Sequence, residues 1–404
     1  MLGLVALCAA AAPQGSMLYI GATSVEPFRL GLFELDLTSL KETVVTADLG
    51  GGKTTLGSFG VTGATVMTGA ESGSGDQYAV ALQSSVPSDP WMPADDCGTE
   101  CKGGAKCCKS SKVASGACFR VDSCSDQSGG SKSRGVTLGV DLGGSSSKGQ
   151  VAWLKNTSQC WALAADKTVR LPPACSRRTP PTCTPHPPTS FHGQAGSLLC
   201  VEEENCANSS IPCGNNFLHR LDVSSGKEET IGTFPPGDVA AVFAVTMDSS
   251  SGIFYVGLDV YEKPFTLYGM DTSSGKIVST AQGSYTSMLH TLAYDPKADG
   301  IFGVASVHTG PASGGNWSLA FGKVSPADLS LTKIAVKPGV LEKYFQVNFG
   351  VAAPGVHYFN AFRKDNSLWL VGLDTSSGEV VLEHQRTPPA GVGNPNFVDM
   401  AWHN

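Results

Sequence analysis

Residues Thr266–Gly275 read TLYGMDTSSG, a short alternating run followed by an aspartate and a small polar turn that ends in glycine. A second β-prone run, KIVSTAQG, begins at Lys276. An aspartate carboxylate at this place accepts hydrogen bonds from turn amides, and glycine supplies the positive φ that a tight reversal needs. The stretch therefore predicts a β-hairpin in which Asp271 forms the turn.

Weaker copies of this hairpin occur along most of the chain. They read FELDLTSL, LGVDLGGSSSKG, LHRLDVSSGK and LVGLDTSSGE, with their aspartates at Asp36, Asp141, Asp222 and Asp374. A single hairpin is marginal in water, so the copies must stack on one another. Repeated polar turn residues reflect local geometry, and we expect none of the five aspartates to be catalytic.

The C-terminal part of the chain divides into three units, Asp238–Gly283, Ser284–Gly339 and Val340–Arg386, and each contains four β-prone runs. Their period of roughly 45 to 55 residues is typical of β-propeller blades. The turn aspartate is missing from the middle unit, where Val324-Ser325-Pro326 stands in its place.

The same frame extends backwards through Gln159–Gly237 and Ser58–Lys155. The N-terminal part adds three runs, MLYIGA, LGLFELD and ETVVTADL, and the C-terminus has one left over, NFVDMAWHN. Pairing the two ends completes a sixth blade and removes an open sheet edge. We predict an all-β, six-bladed β-propeller over residues 17–404. On these repeats the chain resembles the lactonase, strictosidine-synthase-like and β-propeller repeat groups, which implies an architecture but no particular activity.

Composition agrees with a turn-rich all-β protein, since the 404 residues include 48 Gly and 24 Pro. The net charge of −7 offers no basic surface for nucleic acid or anionic membrane, and we expect neither partner. Leu2–Ala12 is a short apolar run ending in small residues, which predicts a signal peptide over residues 1–12 and an extracellular location. We expect no membrane span after it.

Twelve cysteines remain after that segment, all within residues 97–213. Such an even, clustered set predicts disulfides in an oxidising compartment. Six lie in a predicted insertion at residues 88–134 of the second blade, where C-x3-C-x5-C-C-x9-C-x5-C resembles the spacing of an inhibitor cystine knot. The other six surround a proline-rich run, in or next to a second insertion at residues 172–214 of the third blade. The predicted disulfide cysteines are Cys97, Cys101, Cys107, Cys108, Cys118, Cys124, Cys160, Cys175, Cys183, Cys200, Cys206 and Cys213.

Three N-x-[ST] sequons, at Asn156, Asn208 and Asn316, predict N-glycosylation in a secretory route. Sequence alone leaves the disulfide connectivity open.

Polar residues within otherwise apolar first strands mark a candidate binding site at the mouth of the central channel: His290, Gln346, Asn348 and Asp399. Asp399 lies between Val398 and Met400, where a buried carboxylate needs a partner, water or a cation. The resemblance to calcium-dependent lactonases implies Ca²⁺ ligands at Asp399 and Asn348, with His290 as a base. The alternative is that these groups bond to backbone and channel water.

The chain contains no G-x-S-x-G, H-E-x-x-H or EF-hand pattern. We therefore expect a secreted, non-catalytic binding module without a cofactor, whose partner is an extracellular protein or glycan. Two alternatives remain: a calcium-dependent hydrolase or lactonase with its site in the channel, and a structural extracellular or cell-wall protein.

Overall fold

The computed structural model describes residues 15–22, 30–46, 67–71, 77–83, 92–93, 106–109, 117–119, 134–142, 148, 151–158, 160, 162–166, 197–203, 216–223, 225–235, 239–260, 264–283, 287–309, 316–386 and 396–403. Apart from one short 3-10 turn at Leu341–Lys343, their regular structure is β-sheet. This confirms the all-β class.

The strands fall in chain order into an N-terminal and a C-terminal set. The first set is β1 Ser16–Ala22, β2 Leu30–Asp36, β3 Glu42–Thr46, β4 Met67–Glu71, β5 Gln77–Gln83, β6 Met92–Pro93, β7 Lys106–Lys109, β8 Ala117–Phe119, β9 Arg134–Asp141, β10 Val151–Ser158, β11 Ala162–Ala165, β12 Ser197–Glu203, β13 Asn216–Asp222 and β14 Glu228–Phe234. The second set is β15 Val239–Asp248, β16 Ile253–Val260, β17 Thr266–Asp271, β18 Ile277–Gln282, β19 Ser287–Leu289, β20 Ala293–Asp295, β21 Gly300–Thr309, β22 Asn316–Val324, β23 Leu331–Lys333, β24 Tyr344–Ala353, β25 Val356–Arg363, β26 Leu368–Asp374, β27 Val380–Gln385 and β28 Asn396–His403.

These strands form a ring of antiparallel sheets, which we number along the ring. Written from the inner strand outwards, sheet 1 is β28-β1-β2-β3, sheet 2 is β4-β5-β9-β10, sheet 3 is β11-β12-β13-β14, sheet 4 is β15-β16-β17-β18 and sheet 6 is β24-β25-β26-β27. Sheet 5 contains β19, β20, β21, β22 and β23. The inner strands contact one another in turn, from β28 through β4, β11, β15, β20 and β24 back to β28. The chain is a β-propeller.

The blade count differs from the prediction of six four-stranded blades. Among the described residues, five sheets are four-stranded blades, and sheet 5 has five strands because its inner strand is broken. The run MLHTLAYD, predicted as one strand, forms β19 and β20 with His290–Leu292 between them. The fourth strand of sheet 5, β23, has only three residues. This is the unit in which the turn aspartate is missing.

The predicted turn role of the aspartates is confirmed in the hairpins that the structure describes. In the Asp271 turn, Oδ1 accepts hydrogen bonds from the amides of Ser273 and Ser274 at 2.9 and 2.7 Å. The Asp374 turn repeats this with Ser376 and Ser377 at 2.9 and 2.8 Å. The glycine that closes each of these two turns has a positive φ. The turn after Asp141 lies outside the described residues.

The two ends of the chain close the ring as predicted, because β28 pairs with β1 in antiparallel register from Ser16↔His403 to Ala22↔Asn396. A buried ion pair between Arg386 and Glu42 joins sheet 6 to sheet 1 at this seam. The Arg386 guanidinium also lies 3.7 Å from the centre of the Tyr19 ring. The Tyr19 hydroxyl donates to Glu42 Oε2 at 2.6 Å. Burial raises the pKa of Tyr19, so this hydroxyl keeps its proton.

Buried polar contacts also hold neighbouring sheets together elsewhere in the ring. Asp295, at the end of β20, accepts from the Thr375 hydroxyl at 2.7 Å and from the Gly355 amide at 3.1 Å, so it joins sheet 5 to sheet 6. Arg220 in sheet 3 bonds Asp166 at 2.7 Å and donates to the Thr272 carbonyl of sheet 4 at 2.9 Å. These contacts tie adjacent sheets to each other at their turn ends.

Large apolar side chains fill the spaces between the sheets. Sheets 3 and 4, for example, bury Leu199, Val201, Leu218, Phe254, Val256, Leu258 and Met270 in one cluster. Successive side chains of a strand face opposite sides of its sheet, so each sheet contributes to two such layers.

The cysteine-rich segments are described only in part. A small three-stranded sheet, β6-β7-β8, lies within the predicted insertion at residues 88–134, and Cys107 on β7 is disulfide-bonded. Cys160 and Cys200 form a disulfide with a Cα–Cα distance of 5.5 Å, which joins the residues before β11 to β12. The cystine-knot arrangement is not confirmed, and most of the predicted disulfide cysteines lie outside the described residues.

Candidate functional site

The predicted channel residues lie on three successive inner strands of the ring. His290 follows β19 in sheet 5, Gln346 and Asn348 lie on β24 in sheet 6, and Asp399 lies on β28 in sheet 1. β24 contacts both β20 and β28. The fold therefore brings these strands together around the channel, whereas the Asp399 side chain lies outside what the structure describes.

His290 is held at the break of the inner strand of sheet 5. Its Nε2 lies 2.6 Å from Ser306 Oγ, and its backbone amide donates to the Val304 carbonyl at 2.9 Å. Burial lowers the pKa of His290 below its usual value of 6.5, because desolvation disfavours the charged ring. A neutral imidazole at this place can accept a proton or bind a ligand.

Beside His290, a buried hydrogen-bonded group links sheet 5 to sheet 6. Thr291 Oγ1 accepts from the Val304 amide at 2.9 Å and lies 2.9 Å from His357 Nε2. Complete burial lowers the pKa of His357 to about 3, so the ring is neutral. A Cβ at Gly350 would lie 2.6 Å from Thr291 Cβ, so only glycine leaves room for this contact.

An amide that the sequence analysis missed lies in the same sheet. Asn360 on β25 pairs across the strands with Asn348 and is only 1% exposed. Neither its Oδ1 nor its Nδ2 has a hydrogen-bond partner among the described residues. Gln346 Nε2 donates weakly to Asn348 Oδ1 at 3.4 Å. Its sequence signal is an amide within the apolar run YFNAF, which belongs to the second strand of the sheet and not to the first.

The structure leaves the metal prediction open. Within the described residues, no group of three or more His, Cys, Asp or Glu side chains is arranged to hold a metal ion. The proposed Ca²⁺ ligands depend on Asp399, whose side chain is not described. The predicted glycosylation sites are also untested: Asn156 lies on β10, Asn316 begins β22, and Asn208 is outside the described residues.

Sheet 3 carries a second polar arrangement that the sequence analysis did not identify. His219 Nε2 lies 2.5 Å from Glu202 Oε2, and its Nδ1 lies 3.2 Å from Thr230 Oγ1. The strand register places Leu258 and Ala361 where Glu202 would be in sheets 4 and 6. A carboxylate that orients an imidazole next to a hydroxyl can polarise that hydroxyl. Here the three groups also bond β12, β13 and β14 together.

The contacts between sheets distinguish the two faces of the ring. The end of β20 bonds the turns after β24 and β26, and Arg220 reaches the turn after β17. These short turns therefore share one face, which we call the turn face. The connections between second and third strands leave from the opposite face, which we call the long-connection face. That face receives the connection at residues 84–133, which contains β6-β7-β8, and the one at residues 204–215. The connection at residues 166–196, between β11 and β12, belongs to the turn face.

No protein-family model and no curated protein matches the chain. Among solved structures, a chain of a nidogen/laminin complex is 6% identical with a TM-score of 0.46, covering 96% of this chain and 99% of that one. A putative 6-phosphogluconolactonase from Bacteroides uniformis is 8% identical with a TM-score of 0.41, covering 92% and 82%. The Dos1 propeller is 11% identical with a TM-score of 0.38, covering 92% and 85%. The propeller architecture itself follows from the sheet order and from the contacts between the inner strands.

Proposed function

We propose that the protein is a secreted β-propeller binding module that contacts an extracellular protein or glycan through the long-connection face. In this proposal sheet 5 takes the place of a sixth blade. The observation that carries it is the position of the longest connection between described strands: residues 84–133, which contain the sheet β6-β7-β8, leave from this face. Loops on a rigid scaffold are where binding residues concentrate.

A disulfide and two exposed aromatic side chains also support the proposal. The Cys160–Cys200 disulfide is of the kind that persists in oxidising compartments. Within the described residues, no helix has the length and apolar character needed to cross a bilayer. Trp317, at the long-connection end of β22, is 55% exposed, and Phe345, at the corresponding end of β24, is 53% exposed. Exposed aromatic side chains are enriched at contact surfaces.

The test compares two variants produced in a eukaryotic secretory host. In the first, a short Gly-Ser linker replaces residues 84–133. In the matched control, Lys276→Glu and Glu379→Lys change exposed residues of the turn face. Binding to a glycan array and to a panel of extracellular matrix proteins is measured for both. We expect the linker variant to lose binding and the control to keep it.

Two outcomes would reject the proposal: equal binding by the linker variant, and no binding by the natural chain to either panel. Recovery from the medium and N-terminal sequencing test secretion and removal of residues 1–12 in the same preparation. Retention in an insoluble matrix would favour the structural-protein alternative.

A calcium-dependent hydrolase is the second candidate function, and it is favoured by the buried Asn360 beside Asn348. A bound ion or ordered water would satisfy an amide that otherwise lacks partners. An ion bound only to the folded state raises the melting temperature by mass action. A calcium-dependent rise that is lost in Asp399→Ala and in Asn348→Ala would support this function, and the absence of any shift would reject it.

A further inference from the structure

A pocket of about 250 Å³ lies between sheets 4 and 5, and its lining does not include the candidate site residues His290, Gln346 and Asn348. Sheet 4 contributes Phe265 before β17 and Gly283 after β18, and sheet 5 contributes the one face of its strands that is turned towards sheet 4. The pocket is lined by Phe265, Gly283, Leu289, Ala305, Val307, Val324, Leu329, Ser330, Leu331 and Lys333.

The pocket exists because the fourth strand of sheet 5 ends early. β23 stops at Lys333 after three residues, whereas β14, β18 and β27 have seven, six and six. The chain then leaves towards sheet 6, where a Cβ on Gly378 would lie 2.5 Å from the Ala335 carbonyl oxygen. β23 pairs with β22 only from Gly322 to Val324, so no fourth strand lies beside Ala320 and its neighbour Ala305. The sequence signal is the missing turn aspartate in this unit.

The lining has the chemistry of a site for a small amphiphile. Leu289, Ala305 and Val324 are buried and apolar, while Leu329 and Leu331 are half-buried at the outer side. Lys333 is the charged residue among the described lining residues. The volume equals that of roughly eight water molecules in the liquid, which admits one small ligand. An apolar cavity of this kind is poorly suited to water, which needs two to four polar partners.

We propose that this pocket binds a small amphipathic carboxylate, with its apolar body between sheets 4 and 5 and its anionic group on Lys333. The apolar body of the ligand leaves water for a cavity lined by Leu289, Ala305 and Val324, and the burial of its own apolar surface is the main favourable term. The ammonium group of Lys333 selects the anion over a neutral or cationic headgroup of equal length. This proposal concerns a pocket between two sheets and does not depend on the function proposed for the long-connection face.

The test uses three probes of equal chain length: octanoate, octan-1-ol and octyltrimethylammonium. Isothermal titration calorimetry on the full chain should show one saturable octanoate site and weaker binding of the other two. Lys333→Gln should weaken octanoate binding about tenfold and leave octan-1-ol binding unchanged. Lys337→Gln, an exposed lysine outside the lining, is the matched control and should match the natural chain.

A space-filling variant tests the position of the site. Ala305→Leu should abolish binding of all three probes, and Val307→Phe serves the same purpose if Ala305→Leu does not fold. Three results would overturn the proposal: no saturable octanoate binding, equal loss in Lys337→Gln and Lys333→Gln, or undiminished binding after the pocket is filled. A pocket already occupied by another part of this chain would give the first of these results.

Discussion

Single aspartates fix the turns of this propeller, and their protonation should control its stability in acid. Hydrogen bonds from the Ser273 side chain and the Ser274 amide lower the pKa of Asp271 to about 2, from an ordinary value of 3.8. Backbone amides similarly hold the pKa of Asp36 below that value. A lowered folded-state pKa contributes stability that is present above the unfolded-state pKa.

This contribution should disappear as the pH falls from about 4 towards 2, when protonation removes the charged acceptor. The melting temperature should fall across that window, and Asp271→Asn should flatten part of the fall because its amide oxygen does not titrate. Thermal unfolding at intervals of half a pH unit measures this. A natural chain and an Asp271→Asn variant with identical pH profiles would contradict the role given to Asp271.

Asp295 is the residue whose removal should be most damaging among the aspartates of the described chain. It is fully buried and accepts hydrogen bonds from Thr375, Gly355 and Lys297. Asp295→Ala leaves these donors unpaired and should lower the free energy of unfolding by about 3 kcal/mol. Asp328→Ala, in an exposed turn, is the matched control and should lower it by less than about 1 kcal/mol. Urea denaturation measures the free energy of unfolding of both variants. Equal losses in Asp295→Ala and Asp328→Ala would contradict the role given to the buried Asp295 carboxylate.

At the scale of elements, sheet 5 contains a break in its inner strand that the alternating sequence pattern does not predict. The hairpins of sheets 4 and 6 follow from alternation and from their turn aspartates, which are local properties. The run MLHTLAYD has the same alternation, but it breaks because the Thr291 side chain takes the Val304 amide and contacts His357 in the next sheet. His357 is 66 residues away in sequence, so no local pattern could reveal this break.

The break itself should depend on the Thr291 hydroxyl. Thr291→Val keeps the shape of the side chain but leaves the Val304 amide and His357 Nε2 without their partner. The free energy of unfolding should fall by about 2 to 4 kcal/mol. Thr280→Val, on the exposed side of β18, should change it by less than about 0.5 kcal/mol. Urea denaturation of the two variants measures these changes. An unchanged free energy of unfolding in Thr291→Val would show that the hydroxyl does not hold the break.

The candidate site could be predicted only in part, for a related reason. The first strands could be recognised from sequence, so Gln346 and Asn348 lie on the inner strand β24 as expected, whereas His290 lies at the break between β19 and β20. Asn360 was missed because its burial depends on the neighbouring strands and sheets. The pocket beside Lys333 was missed because it depends on the early end of β23 and on the packing of sheet 4 against sheet 5. A sequence pattern shows where a strand begins, but it does not show how two sheets pack against each other.

At the scale of the whole molecule, the ring depends on a seam between residues that are far apart in sequence. The closure could be predicted by counting strands, since three unpaired runs at one end and one at the other complete a sheet. The polar contacts of the seam could not be predicted, because Arg386 and Glu42 are separated by 344 positions. They meet only when the ring is closed.

Arg386 should therefore be critical for stability. Arg386→Met leaves the Glu42 carboxylate buried with the Tyr19 hydroxyl alone and should lower the free energy of unfolding by about 3 to 5 kcal/mol. Combining it with Glu42→Gln should restore part of the loss, because no charge is then buried unpaired. Lys148→Met, which removes an exposed ion pair with Glu34, should lower it by at most about 1 kcal/mol. Additive effects of the two seam substitutions would contradict this coupling.

Closure of the ring by the two chain ends is the central claim, and hydrogen exchange followed by mass spectrometry tests it most directly. In the natural chain, peptides covering residues 16–22 and 396–403 should exchange slowly and with similar protection, because their amides bond to each other. In a chain ending at residue 395, protection of residues 16–22 should fall sharply, while that of residues 266–271 in sheet 4 should fall far less. Rapid exchange of residues 396–403 in the natural chain would contradict the closed ring.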